Sequence, residues 1–584
     1  MTTQLFYMKK NRLTIACLLT LFLGFNGLVS CKKFLDSEPK GAVNSAVLND
    51  ANGAELLATA AYASLGNGNE YSSVSDWIWG SVRSDDAYKG GASTGDQPEL
   101  DKLEQFSFLV NDQSYIQNVW IWNFEGIARA NLALSVINNL STAQYPLKLQ
   151  RQAEMRFLRS HFYFWLVENF KNVPWIDESM TTDERKKVSN RQYTRDQLLE
   201  KIAADFQFGF DNLPDKQTQV GRASKVAAAA YLAKTRLFQA YKQDETHKVV
   251  SISLPVLNEV LKWTDYVINS GKHALSKDFA ENFLFEFENG PESVFAIQFS
   301  KDDGTPLGRE DWSHNLNYNM APQYGCCSFH RPSDNLANAF RTSSTGLPQF
   351  TTFNDNTLSA PADFLVNSFD PRLDHTIGIE GHPFKYDPSF IYQKTFARAS
   401  EVYGTYSTMK EIMPAGSPSL KRDGSRLGSA KNIDVIRYDD VLLWKAEALI
   451  ELGRQAEALP LINQIRDRAA SSTTRLKLAN GTFATNYNIQ KYTDGVNCTW
   501  TQEFARQALR WERRLEFAAE GQRFFDLVRW GIAAETLNDY FKKENVRHPF
   551  LKNANFTKGR NEYLPIPQQE ITLSEGLYQQ NPGY

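Results

Sequence analysis

Residues 71–91 (YSSVSDWIWGSVRSDDAYKGG) hold two kinds of side chain that suit one chemistry. Trp77 and Trp79 offer flat apolar rings, while Arg83, Asp85 and Asp86 offer planar, bidentate hydrogen-bonding groups. A sugar ring presents an apolar C–H face and a rim of hydroxyls, so its recognition asks for an aromatic plate beside such groups. The spacing of the two tryptophans would put both rings on one side of a strand, with one of them free to be core. A second stretch, 312–331 (WSHNLNYNMAPQYGCCSFHR), repeats the mixture. We assign Trp312, Tyr324, Cys326 and Cys327 to the same candidate site, opposite the first stretch. Cys326 and Cys327 are adjacent, and two readings stand: a vicinal disulfide, formed in an oxidising compartment and serving as a rigid apolar plate, or two reduced structural thiols.

Other chemistries find less support. The five cysteines form no CxxC pair and the eight histidines show no HExxH-like spacing, so no metal site and no cofactor is expected. With 64 Lys+Arg against 67 Asp+Glu, no net field favours nucleic acid. A glycosidase needs two carboxylates across a cleft, and the many acids leave that open, but no nucleophile motif accompanies them. A solenoid scaffold that binds only protein is the third reading. The expectation is a binding protein without catalysis.

The elements that must hold these residues are mostly helices. Lys9, Lys10 and Arg12 precede an apolar run, Leu13 to Phe25, that is short for a permanent membrane span. Leu28-Val-Ser-Cys31 then reads as a lipobox, so 1–30 is a lipoprotein signal, Cys31 the lipidated residue and 31–50 a tether. Helical periodicity runs through 51–280, apart from a loop expected over 66–114. Residues 281–436 read as a loop-rich insertion with a few short strands. Helices resume over 437–584, where ELGRQAEAL at the corner of one pair is similar to a tetratricopeptide hairpin. The fold expected is mainly α: a tetratricopeptide-like helical-hairpin solenoid over 114–270 and 437–530, with the insertion packed across it. Within 504–531, Phe504, Ala508, Trp511, Leu515 and Ala518 form an apolar helix face that ends at Gly521, before a second helix. Arg513, Arg514, Glu516, Glu520, Arg523, Asp526 and Arg529 beside that seam read as a structural ion-pair lattice.

Several short runs together resemble the SusD/RagB family of Bacteroidetes surface lipoproteins. They are Cys31-Lys-Lys-Phe-Leu-Asp36, Gly126–Asn131, Ala153–Arg159 with Val173-Pro174, Pro332–Leu336, Asp370-Pro-Arg-Leu373, Arg437–Leu443 with Ala446-Glu447-Ala448, Glu520–Gly531, Tyr563-Leu-Pro-Ile-Pro567 and Asn581-Pro-Gly-Tyr584. The resemblance implies a helical fold with tetratricopeptide-like repeats. It also implies an anchor in the outer membrane and capture of oligo- or polysaccharide for a partner TonB-dependent, SusC-like transporter. It does not fix the sugar.

The anchor gives a first prediction. Cys31→Ala should remain unacylated and leave outer-membrane fractions for the soluble pool, because acyl chains hold at about 0.8 kcal/mol per buried CH2. Retention of the variant on membranes after a salt wash would refute the assignment.

Overall fold

The computed structural model describes residues 48–66, 76–108, 114–304 and 309–584. The signal segment, Cys31 and nearly all of the tether lie outside the described residues, as do residues 71–75 of the first candidate stretch.

Asp50 caps α1 (Ala51–Ala63) by accepting the Gly53 amide at 2.7 Å. α2 (Ser114–Asn139), α3 (Lys148–Phe170), α4 (Arg195–Asn212), α5 (Lys225–Ala240) and α6 (Leu254–Asn269) follow in order, each packed on the next. Local chemistry starts several of them. Thr194 and Gln197 close a capping box on α4, and Ser224 caps α5. α3 is buried all round from Phe157 to Val167, which makes it the axis of this half. α6 then packs on α7 (Tyr438–Glu451), and α7 on α8 (Gln455–Ser471) and α9 (Gln502–Glu516). The solenoid therefore continues across the insertion as expected. α10 (Arg523–Arg529) and α11 (Ala533–Glu544) complete this end.

Among the described residues the strands of the insertion form only two-stranded pairs. β1 (Ala87–Gly90) runs antiparallel to β3 (Phe329–Pro332), with Ala87 opposite Pro332. β2 (Ser293–Ile297) pairs with β4 (Ile433–Arg437), and β4 leads straight into α7. That second pair joins the two ends of the insertion at its base.

The loop expected over 66–114 is partly regular. Trp77–Val82 winds as a π-type turn, Ala87–Gly90 is a strand and Pro98–Glu104 is a helix. Tertiary packing overrides the Gly- and Ser-rich composition here. Gly80 lies so close to Gly521 that a Cβ on it would fall 1.5 Å from the Gly521 carbonyl oxygen. Gly521 itself has φ +81°, the left-handed turn that the 504–531 corner requires.

The charged residues of 504–531 form the lattice read from the sequence, and it reaches further than that stretch. Arg372 meets Asp370, Glu512 and Glu516, each at 2.7 Å. Arg468 takes Glu292 at 2.8 Å and also Glu516. Arg437 takes Asp439 at 2.7 Å and also Glu520, which Lys410 holds at 2.6 Å. Arg513 and Arg529 share Asp526, each at 2.7 Å, and Arg529 also reaches Glu447. All of these side chains but Glu520 are buried. The separate motif runs at 370–373, 437–443, 446–448 and 520–531 are thus one network in space.

Removing one member strands the others. Glu516→Ala leaves Arg372 and Arg468 without a shared acceptor and should cost about 3–5 kcal/mol. Asp183→Ala breaks an exposed pair with Lys186 and should change stability by less than about 0.5 kcal/mol. Denaturant unfolding of the two variants checks this; equal losses would contradict a structural role for the lattice.

Candidate ligand-binding surfaces

The structure brings the two candidate stretches together. β1 and β3 pair, Trp77 Nε1 donates to the Ser313 carbonyl at 3.1 Å, and the Trp77 ring packs on Phe329 and His330 at 6.4 and 5.6 Å between centroids.

Most of the first stretch is nevertheless interior, and the expectation of a sugar-facing loop is corrected for its side chains. Trp77 and Trp79 are both buried, because the π-type turn winds the two rings inward where a strand would have lined them along one face. Arg83 is buried over the Phe524 ring at 4.1 Å and donates to the Asn561 carbonyl at 3.3 Å; burial lowers its pKa to about 10. Asp85 is claimed by Arg523 at 2.8 Å and Arg514 at 3.0 Å. Burial opposes its charge, but the two guanidiniums outweigh burial and hold its pKa near 2. Asp86 faces Arg514 at 3.3 Å, and burial pushes its carboxyl above the usual range. Arg83 belongs to the core, and Asp85 and Asp86 extend the ion-pair lattice. Their residue types fit sugar recognition, but the arginines of 504–531 fit them equally well.

The second stretch divides. Tyr324 is buried: its hydroxyl donates to the Met413 carbonyl at 2.9 Å and its ring packs among Tyr318, Phe384 and Phe390. It is a floor and not a plate. Cys326 and Cys327 form a vicinal disulfide and are half-buried, beside exposed Pro322, Gln323 and Gly325. Trp312 is half-buried with its ring on Gly428, where a Cβ would lie 2.8 Å from the indole. Gly428 belongs to the hairpin Leu420–Asp423/Arg426–Ser429. Arg422 of the same hairpin donates to the Gln323 and Tyr324 carbonyls at 2.7 and 2.9 Å. Trp312 and the disulfide segment therefore rest on one hairpin, and they are the candidate residues that keep accessible surface.

Trp77 also lines a partly open cavity of about 170 Å³ with Asp76, His161, Tyr231, Lys234, His314 and Glu411. A relay of acids and imidazoles borders it: Asp311 to His314 at 2.6 Å, His314 to Glu411 at 3.6 Å, Glu411 to His330 at 2.7 Å. Burial works against the charge on His314, but Asp311 and Glu411 outweigh it and hold its pKa near 9. Burial, with Lys234, pushes His161 down to about 3, and its Nδ1 lies 2.5 Å from the Tyr231 hydroxyl. At neutral pH one imidazole is a charged donor and the other is neutral and engaged. Neither is placed as a free general base. Sequence reading missed His161, although a histidine inside the apolar run 157–167 is the kind of buried polar residue that marks such a lining.

Among the described residues two groups have ligand atoms close enough for a metal ion, and both are already committed. Glu292, Asp439 and Glu516 are held by Arg437 and Arg468. In the other, His548 bonds Asp334 at 2.9 Å and the Val402 carbonyl at 2.8 Å, while Glu544 takes Tyr88 and Arg547.

Comparison with known proteins fits this architecture. Residues 291–584 match the family model described as the SusD family, and residues 33–237 match one described as starch-binding, associating with outer membrane. SusD-like protein P25 of Formosa agariphila is 22% identical, over 95% of this chain and 97% of that protein. A SusD-like protein of Bacteroides ovatus is 25% identical, over 90% of this chain and 83% of the relative. Among solved structures, a laminarin binding SusD-like protein superposes with a TM-score of 0.64 at 22% identity, covering 92% of this chain and all (100%) of that one. Surface glycan-binding protein A of Bacteroides thetaiotaomicron, in complex with laminarihexaose, superposes at 0.61 with 19% identity, covering 91% and 99%. The structural likenesses carry the fold, the family match carries the assignment, and the chain belongs to the SusD family.

Proposed function

We propose that the protein is a cell-surface, lipid-anchored glycan-binding protein that captures oligo- or polysaccharide and passes it to a partner TonB-dependent, SusC-like transporter. The observation that carries the binding part is the accessible surface kept by Trp312 and by the Cys326–Cys327 disulfide, with Trp312 seated on Gly428 and the neighbouring Gln323 and Tyr324 carbonyls held by Arg422 of the same hairpin. An indole and a disulfide ring are rigid apolar plates, and a rigid plate loses little conformational freedom when a sugar stacks on it. Family membership and the glycan-binding names of its structural neighbours support the reading. Anchoring at Cys31 and delivery to a transporter follow from the lipobox and from the family resemblance. Among the described residues no helix is long and apolar enough to cross a membrane, which is compatible with that anchor.

We read the protein as binding without turnover, since its family match and the glycan-binding names of its structural neighbours point to capture, and no nucleophile motif accompanies its acids.

Titration calorimetry against a glycan panel that includes laminarihexaose tests this. Trp312→Ala should weaken the best-bound oligosaccharide by about tenfold, the effect of losing one good stack with its buried area. Trp79→Phe should lower the melting temperature and leave affinity within about twofold, because Trp79 is core. Unchanged affinity in folded Trp312→Ala would remove this surface from the site. Release of shortened sugars by the wild type would replace the binding reading with an enzyme.

A further inference from the structure

A second, larger opening lies elsewhere. A groove of about 880 Å³ is walled by α9, α10 and α11, with Asn335 and Phe353 of the insertion also on its wall. That volume is within the range of ligand sites, about 300–1,000 Å³. The cations that line it, other than Arg510, are paired. Arg506 holds Glu451 at 2.6 and 2.8 Å, Arg523 holds Asp85 at 2.8 and 3.0 Å, and Lys543 holds Asp539 at 2.9 Å.

Arg510 is different. It is half-buried, its guanidinium lies 5.0 Å from the Trp530 ring centroid, and it makes no hydrogen bond or ion pair among the described residues. The nearest acids behind it, Glu447 and Glu451, are taken by Arg529 and Arg506. Burial lowers its pKa. A guanidinium stacked on an indole still presents its N–H edge, and that edge fits a carboxylate or sulfate bidentately. Beside it stands Trp511, half-buried and packed against Phe350 and Phe353 at 5.4 and 5.0 Å, with its Nε1 donating to the Ala339 carbonyl at 3.1 Å. The plate is therefore held rigidly. Exposed Glu503, Gln507 and Glu535 on the rim can accept from hydroxyls.

We propose that this groove is a second saccharide site, separate from the Trp312 surface, and that it takes an acidic sugar with its carboxylate or sulfate on Arg510. The proposal rests on the glycan-binding reading and adds to it a charge class and a place.

The test is calorimetry of the soluble protein with glucuronate, glucose 6-sulfate and glucose. Either acidic sugar should bind at least about tenfold tighter than glucose, and its affinity should fall as sodium chloride rises, since the contact is an ion pair. The two acidic probes distinguish a carboxylate from a sulfate as the group taken. Arg510→Gln should abolish the preference, and Arg510→Lys, which keeps the charge without the fork, should restore part of it. Trp312→Ala should leave it unchanged. Equal binding of acidic and neutral sugars by the wild type overturns the proposal, and so does a preference that survives Arg510→Gln. The wild-type arm decides even if Arg510→Gln fails to fold. Loss of neutral-oligosaccharide binding in Trp312→Ala beside equal binding of the small probes would sink this groove and leave the glycan-binding reading standing.

Discussion

Arg372, Arg437, Arg468, Arg513, Arg514 and Arg529 are guanidiniums that the fold has taken out of water. An isolated buried charge costs several kcal/mol, so each of them obliges the chain to deliver a carboxylate at a fixed place and angle. The acids arrive from far along the sequence: Asp85 and Asp86 from the link between the π-type turn and β1, Glu292 from the start of the insertion, Asp370 from its middle, Asp439 and Glu447 from α7. The network therefore fixes more than the crossing of α9 and α10. It locks the loop-rich insertion and the N-terminal turn onto the helical solenoid, where few backbone hydrogen bonds could do so. Whether it adds net stability over an apolar core is a separate matter; its clearest consequence is that few alternative packings can satisfy so many charges at once.

The same constraint explains what was legible beforehand. Helices with long apolar periods could be read as such: the stretches expected over 114–270 and 437–530 hold α2 to α6 and α7 to α10. The ion-pair lattice was visible as charge interleaved with an apolar face. The partners outside 504–531 were not, because an Asp in a Gly- and Ser-rich stretch has the same composition whether it meets a sugar or an arginine. For that reason Asp85 and Asp86 look like ligand groups in the sequence and prove to be lattice members in the structure. The π-type turn at Trp77–Val82 was equally hidden, since the close approach of Gly80 to Gly521 that permits it is a long-range fact. Trp511 illustrates the converse. Helical spacing assigned it to the buried face, yet at the edge of the solenoid that face opens on a groove.

A division of labour follows from burial. Charged and aromatic residues inside the lattice build the scaffold. In the proposed function, ligand chemistry falls to the accessible side chains at its margins, namely Trp312 and the Cys326–Cys327 disulfide by the 420–429 hairpin, and Arg510 with Trp511 on the open side of α9. Both margins present rigid rings backed by the core, so a sugar would meet a preorganised surface in either place.

The account rests on that separation between scaffold and surface. A crystal structure of the protein bound to its tightest oligosaccharide tests it most directly. The account predicts a sugar ring against Trp312 or the Cys326–Cys327 disulfide, with the Arg514–Asp85 and Arg523–Asp85 pairs intact beneath. A sugar bonded to Arg83, Asp85 or Asp86, with those pairs broken to admit it, would contradict the account.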